Sequence, residues 1–100
     1  QKEDTVALSI KRFLRKVSGA NRSEAVLVEA NAAIARYVAE TYLTLWESEL
    51  ERRIILIERE DFPWGRYRLE AQGTREQMER RLEQMLKREV SLVVHRTPAP

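Results

Sequence analysis

"AVLVEANAAIARYVAETYLTLW", residues 25–46, is apolar on almost every side. Read at helical spacing, Leu27, Ala30, Ile34, Tyr37, Val38 and Leu45 form one apolar face. Val28, Ala32, Ala35, Ala39, Tyr42, Leu43 and Trp46 form another. A surface helix needs a single such stripe. The spacing therefore predicts one long helix over 23–51, capped by Asn21 or Ser23, with an apolar face to spare. The length approaches the roughly 20 apolar residues of a membrane span. However, Glu29, Asn31, Arg36 and Glu40 interrupt it, and each charge there would cost about 2.5–3.5 kcal/mol. The reading is a helix buried in protein, with no membrane partner.

On the N-terminal side, TVALSIKRFLRKVSGA reads as a short amphipathic helix. Val6, Ile10, Phe13, Leu14 and Val17 share one stripe, and Lys11, Arg12, Arg15 and Lys16 lie opposite. Asp4 or Thr5 suits its start and Gly19 its stop. Charge separates along the chain. Residues 1–22 hold six basic and two acidic side chains, whereas residues 23–50 hold one basic and five acidic. Such asymmetry favours pairing of the two segments, or of two chains.

On the C-terminal side the period changes. RIILIE has four consecutive apolar residues, three of them β-branched, and GRYRLEAQG alternates, with Tyr67, Leu69 and Ala71 on one side. Pro63 and Gly65 break the chain between them. This predicts a β-hairpin pairing 53–59 with 66–72. The competing reading carries the long helix on through Ile57, which would make the chain all-α. Thr74 and Gln77 have capping-box spacing and open a helix whose inner face is Met78, Leu82, Met85 and Leu86. VSLVVHR, residues 90–96, reads as a closing strand. The expected fold class is thus α+β, as a single domain over 1–96 with a disordered tail over 97–100. Its order is a short helix, a long helix, a hairpin, a helix and a strand.

With 100 residues, 43% hydrophobic, 34% charged and a net charge of +2, the composition is that of a globular chain with a thin core. It has no cysteine, so thiolate metal sites are excluded. No cofactor or metal is expected. Three glycines leave no room for a phosphate-cradling loop. Catalytic acid–base work needs an oriented partner, and His95 is the only histidine. Glu58, Glu60 and Asp61 lack calcium-loop spacing and read as a solvated turn. Phe62 and Trp64 at that turn either fold back or anchor a partner. No catalytic residue is expected, and the chain is read as a cytoplasmic, non-enzymatic association module. The interface would be Val28, Ala32, Ala35, Ala39, Tyr42, Leu43 and Trp46 on the long helix. They would make a homodimer or dock on a larger protein. The alternative is a nucleic-acid-binding accessory protein using Lys11, Arg12, Arg15 and Lys16.

Overall fold

The computed structural model describes residues 2–20 and 23–98. The elements are α1 (Lys2–Ala20), β1 (Ala25–Asn31), α2 (Ala32–Thr41), α3 (Leu43–Leu50), β2 (Arg53–Arg59), β3 (Tyr67–Gly73), α4 (Arg75–Arg88) and β4 (Val94–His95). The class is α+β, and the all-α alternative is excluded. Residues 52–59 contain a strand rather than a continuation of helix. No helix among the described residues is long and apolar enough to cross a membrane.

The single long helix over 23–51 is a misreading. Its first part is a strand, and the rest is two helices. A strand covered on both faces is apolar at every position, so periodicity alone does not separate it from a buried helix. Val26, Val28 and Ala30 face the core under α1, α2 and α3, while Ala25 and Leu27 face the core under α4. Asn31 is no interruption of a helix but the start of one. Its side chain accepts from the N–H groups of Ala33 and Ile34 at 3.0 and 3.3 Å, as a helix-capping asparagine does. The second break is at Tyr42, with φ −123°, and α3 ends at Glu51 in the left-handed region, φ 54°. Of the expected caps, Asn21 lies outside the described residues and Ser23 precedes a strand.

The strand order is β3-β1-β2-β4. β1 and β2 run parallel, with Val26 opposite Ile54 and Val28 opposite Leu56. The edge strands run antiparallel to their neighbours. The expected hairpin therefore does not exist. Its two strands form close to the predicted limits, but β1 lies between them. The physical reason is burial. Ile54, Ile55, Leu56 and Ile57 are covered on both faces, which requires a central place in the sheet. The connection from β2 to β3 instead passes over the end of β1. There Asn31 donates through Nδ2 to the Phe62 carbonyl at 2.8 Å, and its backbone N–H reaches the Arg66 carbonyl at 3.3 Å.

β1 joins β2 through α2 and α3 on one face, and β3 joins β4 through α4 on the other. The sheet is thus the middle of three layers. The Thr74–Gln77 capping box forms, and Met78, Leu82 and Met85 are buried as expected. The closing strand is shorter than 90–96 and consists of Val94 and His95 alone. In β3 the register shifts opposite Leu27 and Val28, leaving Glu70 as an extra residue. Leu69 then packs in one core and Ala71 in the other, so the expected common face of Tyr67, Leu69 and Ala71 is broken by a bulge. Of the expected tail, Thr97 is tied down: Arg53 donates to its carbonyl at 2.6 Å, and its hydroxyl donates to Glu47 at 2.8 Å. Residues 99 and 100 lie outside the described part.

α1 begins at Lys2 and runs through Gly19, so Asp4 sits in its first turn instead of capping it. Asp4 Oδ1 accepts hydrogen bonds from the phenols of Tyr37 at 2.5 Å and Tyr42 at 2.6 Å, tying α1 to α2. The bond from Tyr37, then that from Tyr42, holds the Asp4 carboxyl below the ordinary aspartate range. A carboxyl lowered by folding stabilises fully above its unfolded pKa and stops doing so as pH falls through the folded one. Asp4→Asn is therefore expected to melt below the wild-type chain at neutral pH, with the gap closing in acid. Thermal melts across the acid range check this, and a gap that persists unchanged in strong acid would refute it.

Candidate association surface

The side chains expected at an interface are placed in the chain's own interior. Val28 and Ala35 are fully buried, and Ala32, Leu43 and Trp46 nearly so. Ala39 and Tyr42 pack against the same core. Trp46 stacks on Tyr42 with ring centroids 5.4 Å apart. The apolar excess that suggested a partner is taken up by α1, by the sheet and by packing of α2 on α3. This correction has a simple cause. Treating 23–51 as one helix left no second layer to cover it, whereas the real segment supplies a strand and its own crossover helices.

The basic face of α1 is divided. Lys11 meets Glu49 at 2.6 Å, and Arg15 approaches the same carboxylate at 3.7 Å. Arg12 and Lys16 are exposed, with no ion pair among the described residues. Where they point follows from the helix's other contacts. Phe13 lies on Tyr67 with ring centroids 5.4 Å apart, and the Tyr67 hydroxyl donates to the Ser9 carbonyl at 3.4 Å. α1 therefore runs over β3. Arg12 and Lys16 stand about 60–100° round the helix from Phe13, on the side away from buried Ile10 and Leu14. They lie on the face of α1 turned away from the core, next to the flank that meets Tyr67.

β3 is an edge strand of seven residues. The Asn31 N–H bonds to the Arg66 carbonyl, and Glu29 lies opposite Arg68. In an antiparallel ladder, bonded and non-bonded pairs alternate. The Arg66 carbonyl and the backbone groups of Arg68 thus turn toward β1, while the Arg66 N–H closes the turn on the Pro63 carbonyl at 3.0 Å, and Tyr67 and Leu69 turn their backbone groups outward. Among the described residues no strand answers them. The opposite edge is treated differently. There β4 covers part of β2, the Glu58 N–H bonds to the Val93 carbonyl, and the side chains of Glu58 and His95 meet at 2.7 Å. Arg36 holds the same carboxylate at 3.2 and 3.4 Å. Burial pushes the Glu58 carboxyl up, but the bonds from Arg36 and His95 outweigh it and hold the group below its ordinary range. His95 therefore has the oriented carboxylate that its isolation in the sequence hid, and the pair fastens β4 to β2.

A second charge cluster lies under the start of β3. Glu29 is completely buried, and both its oxygens are held, one by Arg59 and the other by Arg68 at 2.5 and 2.8 Å. Glu89 pairs with Arg59, and Arg81 with Glu70. Arg66 and Arg68 stand over the buried Phe62 ring at 4.8 and 5.9 Å. Phe62 thus folds back, while its neighbour Trp64 stays half exposed. A cavity of about 550 Å³ between α4 and the chain after β4 is lined by Arg53, Arg75, Glu79 and Arg96. Arg96 is paired with Glu79 there. Among the described residues no group of acidic and histidine side chains is arranged to hold a metal ion.

Sequence reading missed Glu29 and Glu58 as buried carboxylates. The signal available was their position in apolar runs, where an unpaired charge is too costly to survive. No family model matches this chain, and comparison with curated proteins and with solved structures finds no match.

Proposed function

We propose that this chain acts by association, accepting an extended segment of a partner protein along the free edge of β3. The observation that carries this reading is the outward-facing backbone of Tyr67 and Leu69 on an edge strand with no strand beside it among the described residues. Unpaired edge groups are a template for another strand, and strand addition to a sheet edge is a recurrent way of binding peptides. The bulge at Glu70 interrupts flat pairing and confines regular docking to residues 66–69. It also protects the edge from indiscriminate pairing. Docking on a larger protein is retained from the sequence reading, while a homodimer through α2 and α3 loses its surface. Nucleic acid binding has less to support it, because Glu49 already engages Lys11 and Arg15.

The test is amide hydrogen exchange with a synthetic peptide of alternating valine and glutamate, matched in length to β3. Binding is expected to slow exchange at Tyr67 and Leu69. The same peptide, N-methylated at alternate positions, is expected to bind at least about tenfold more weakly, since it lacks the N–H groups that strand addition uses. Equal binding of both peptides, or protection only on helices, would overturn the reading.

A further inference from the structure

We infer that the segment accepted at the β3 edge is acidic, and that a second copy of this chain is excluded from the same edge by charge. The inference rests on the sheet-edge reading and concerns which partner that edge admits. Three cationic side chains with no ion pair among the described residues lie toward the regular part of the edge: Arg12 and Lys16 on α1, round the helix from Phe13, and Arg66 in the turn before the strand. Arg68 is half exposed, but its charge is answered within the chain by Glu29 at 2.5 Å and Glu70 at 3.5 Å, whereas Arg66 is exposed beside Phe62. The nearest carboxylate on the strand, Glu70, is largely buried and paired with Arg81 and with Arg68 itself. An extended chain lying here thus meets positive charge from α1 on one face and from Arg66 at the start of the strand, with no exposed carboxylate of β3 to offset it. Complementary potential of this kind favours acidic partners and disfavours basic ones.

The same geometry speaks against self-pairing. An antiparallel edge-to-edge dimer has its twofold axis perpendicular to the sheet, so both copies keep the same face upward. Each α1 would then lie beside its counterpart, with Arg12 and Lys16 of one copy set against Arg12 and Lys16 of the other. Within the strand, pairing centred on Leu69 would put Arg68 opposite Glu70, which is favourable. Glu70, however, is the bulged residue and is already bound to Arg81. The attractive pair is spent inside the chain, while the repulsive charge on α1 stays exposed. This is specificity by an unfavourable alternative as well as a favourable contact.

The experiment compares three matched peptides: alternating valine–glutamate, alternating valine–lysine, and the N-methylated valine–glutamate form. Each is titrated against the wild-type chain and the double variant Arg12→Glu, Lys16→Glu, with amide exchange locating the site and far-UV circular dichroism confirming the fold. The acidic peptide is expected to bind the wild type at β3 at least about tenfold more tightly than the basic one, with the preference lost or reversed in the double variant. The preference should also shrink in high salt. Equal binding of acidic and basic peptides at β3 would overturn the acidic assignment and leave edge docking standing. Binding that ignores N-methylation, or maps away from β3, would overturn edge docking itself. A wild-type chain that dimerises through β3 at micromolar concentration would overturn the exclusion of a second copy.

Discussion

Trp46→Ala is expected to cost about 3–5 kcal/mol of folding stability, the range for removing a large aromatic side chain from a core. Trp46 is 2% exposed, stacks on Tyr42 and closes the core where α3 meets the sheet. Its loss leaves a void bordered by two helices that are themselves anchored elsewhere, so collapse can fill it only in part. A domain of this size holds about 5–15 kcal/mol in total. At roughly 4–8 °C per kcal/mol, the melting temperature should fall by about 12 °C or more. The neighbouring Leu45 is half exposed, and Leu45→Ala should stay within about 0.5 kcal/mol of the wild type. Denaturant titrations of both variants at two protein concentrations test this. A loss at Trp46 that grows on dilution, with intrinsic folding unchanged, would mean that the indole belongs to an interface after all.

Glu29→Gln is expected to cost about 3 kcal/mol, because removing one member of a buried ion pair leaves the others uncompensated. The amide keeps the shape and one acceptor oxygen. It loses the charge that lets a single carboxylate hold both Arg59 and Arg68. Arg59 is the side chain most affected, being about four-fifths buried with Glu89 as its remaining anion. Arg68→Gln should cost somewhat less, about 1–3 kcal/mol: Arg68 itself is 53% exposed, but it supplies the charged donors to one oxygen of the fully buried Glu29. The midpoint of urea unfolding should shift with little change in slope for both variants. Equal, small losses at Glu29 and Arg68 would show that the cluster contributes little to folding. Because Glu29 sits on β1, Arg68 on β3 and Arg59 on β2, the variant should also loosen the edge strand, with faster amide exchange at Arg68, whose N–H faces β1.

The residues determined some features without help from the rest of the chain. The amphipathic stripe of α1, the capping box at Thr74 and Gln77, the inner face of α4 and the extended character of residues 53–59 and 67–73 are local matters. They are set by spacing and by side chains a few positions apart, so the sequence read in isolation contains them. The same holds for the docking of basic α1 against acidic α3, foreshadowed by opposite charge in adjoining segments and realised as Lys11 on Glu49.

Tertiary structure alone decided the rest. Residues 25–31 satisfy a helix and a doubly covered strand equally well, since every side is apolar. What separates the two is whether another strand stands ready to bond their backbone, and Ile54–Ile57 supply it from more than twenty residues away. That insertion displaced the hairpin, made β3 an edge and turned its basic border into the candidate surface. It also converted Glu29 from a mark on a helix stripe into a buried anchor, because a charge in the middle layer persists only where arginines from two neighbouring strands converge on it. Long-range pairing of this kind leaves no local trace, as its energy lies in bonds between segments whose separate preferences do not mention one another.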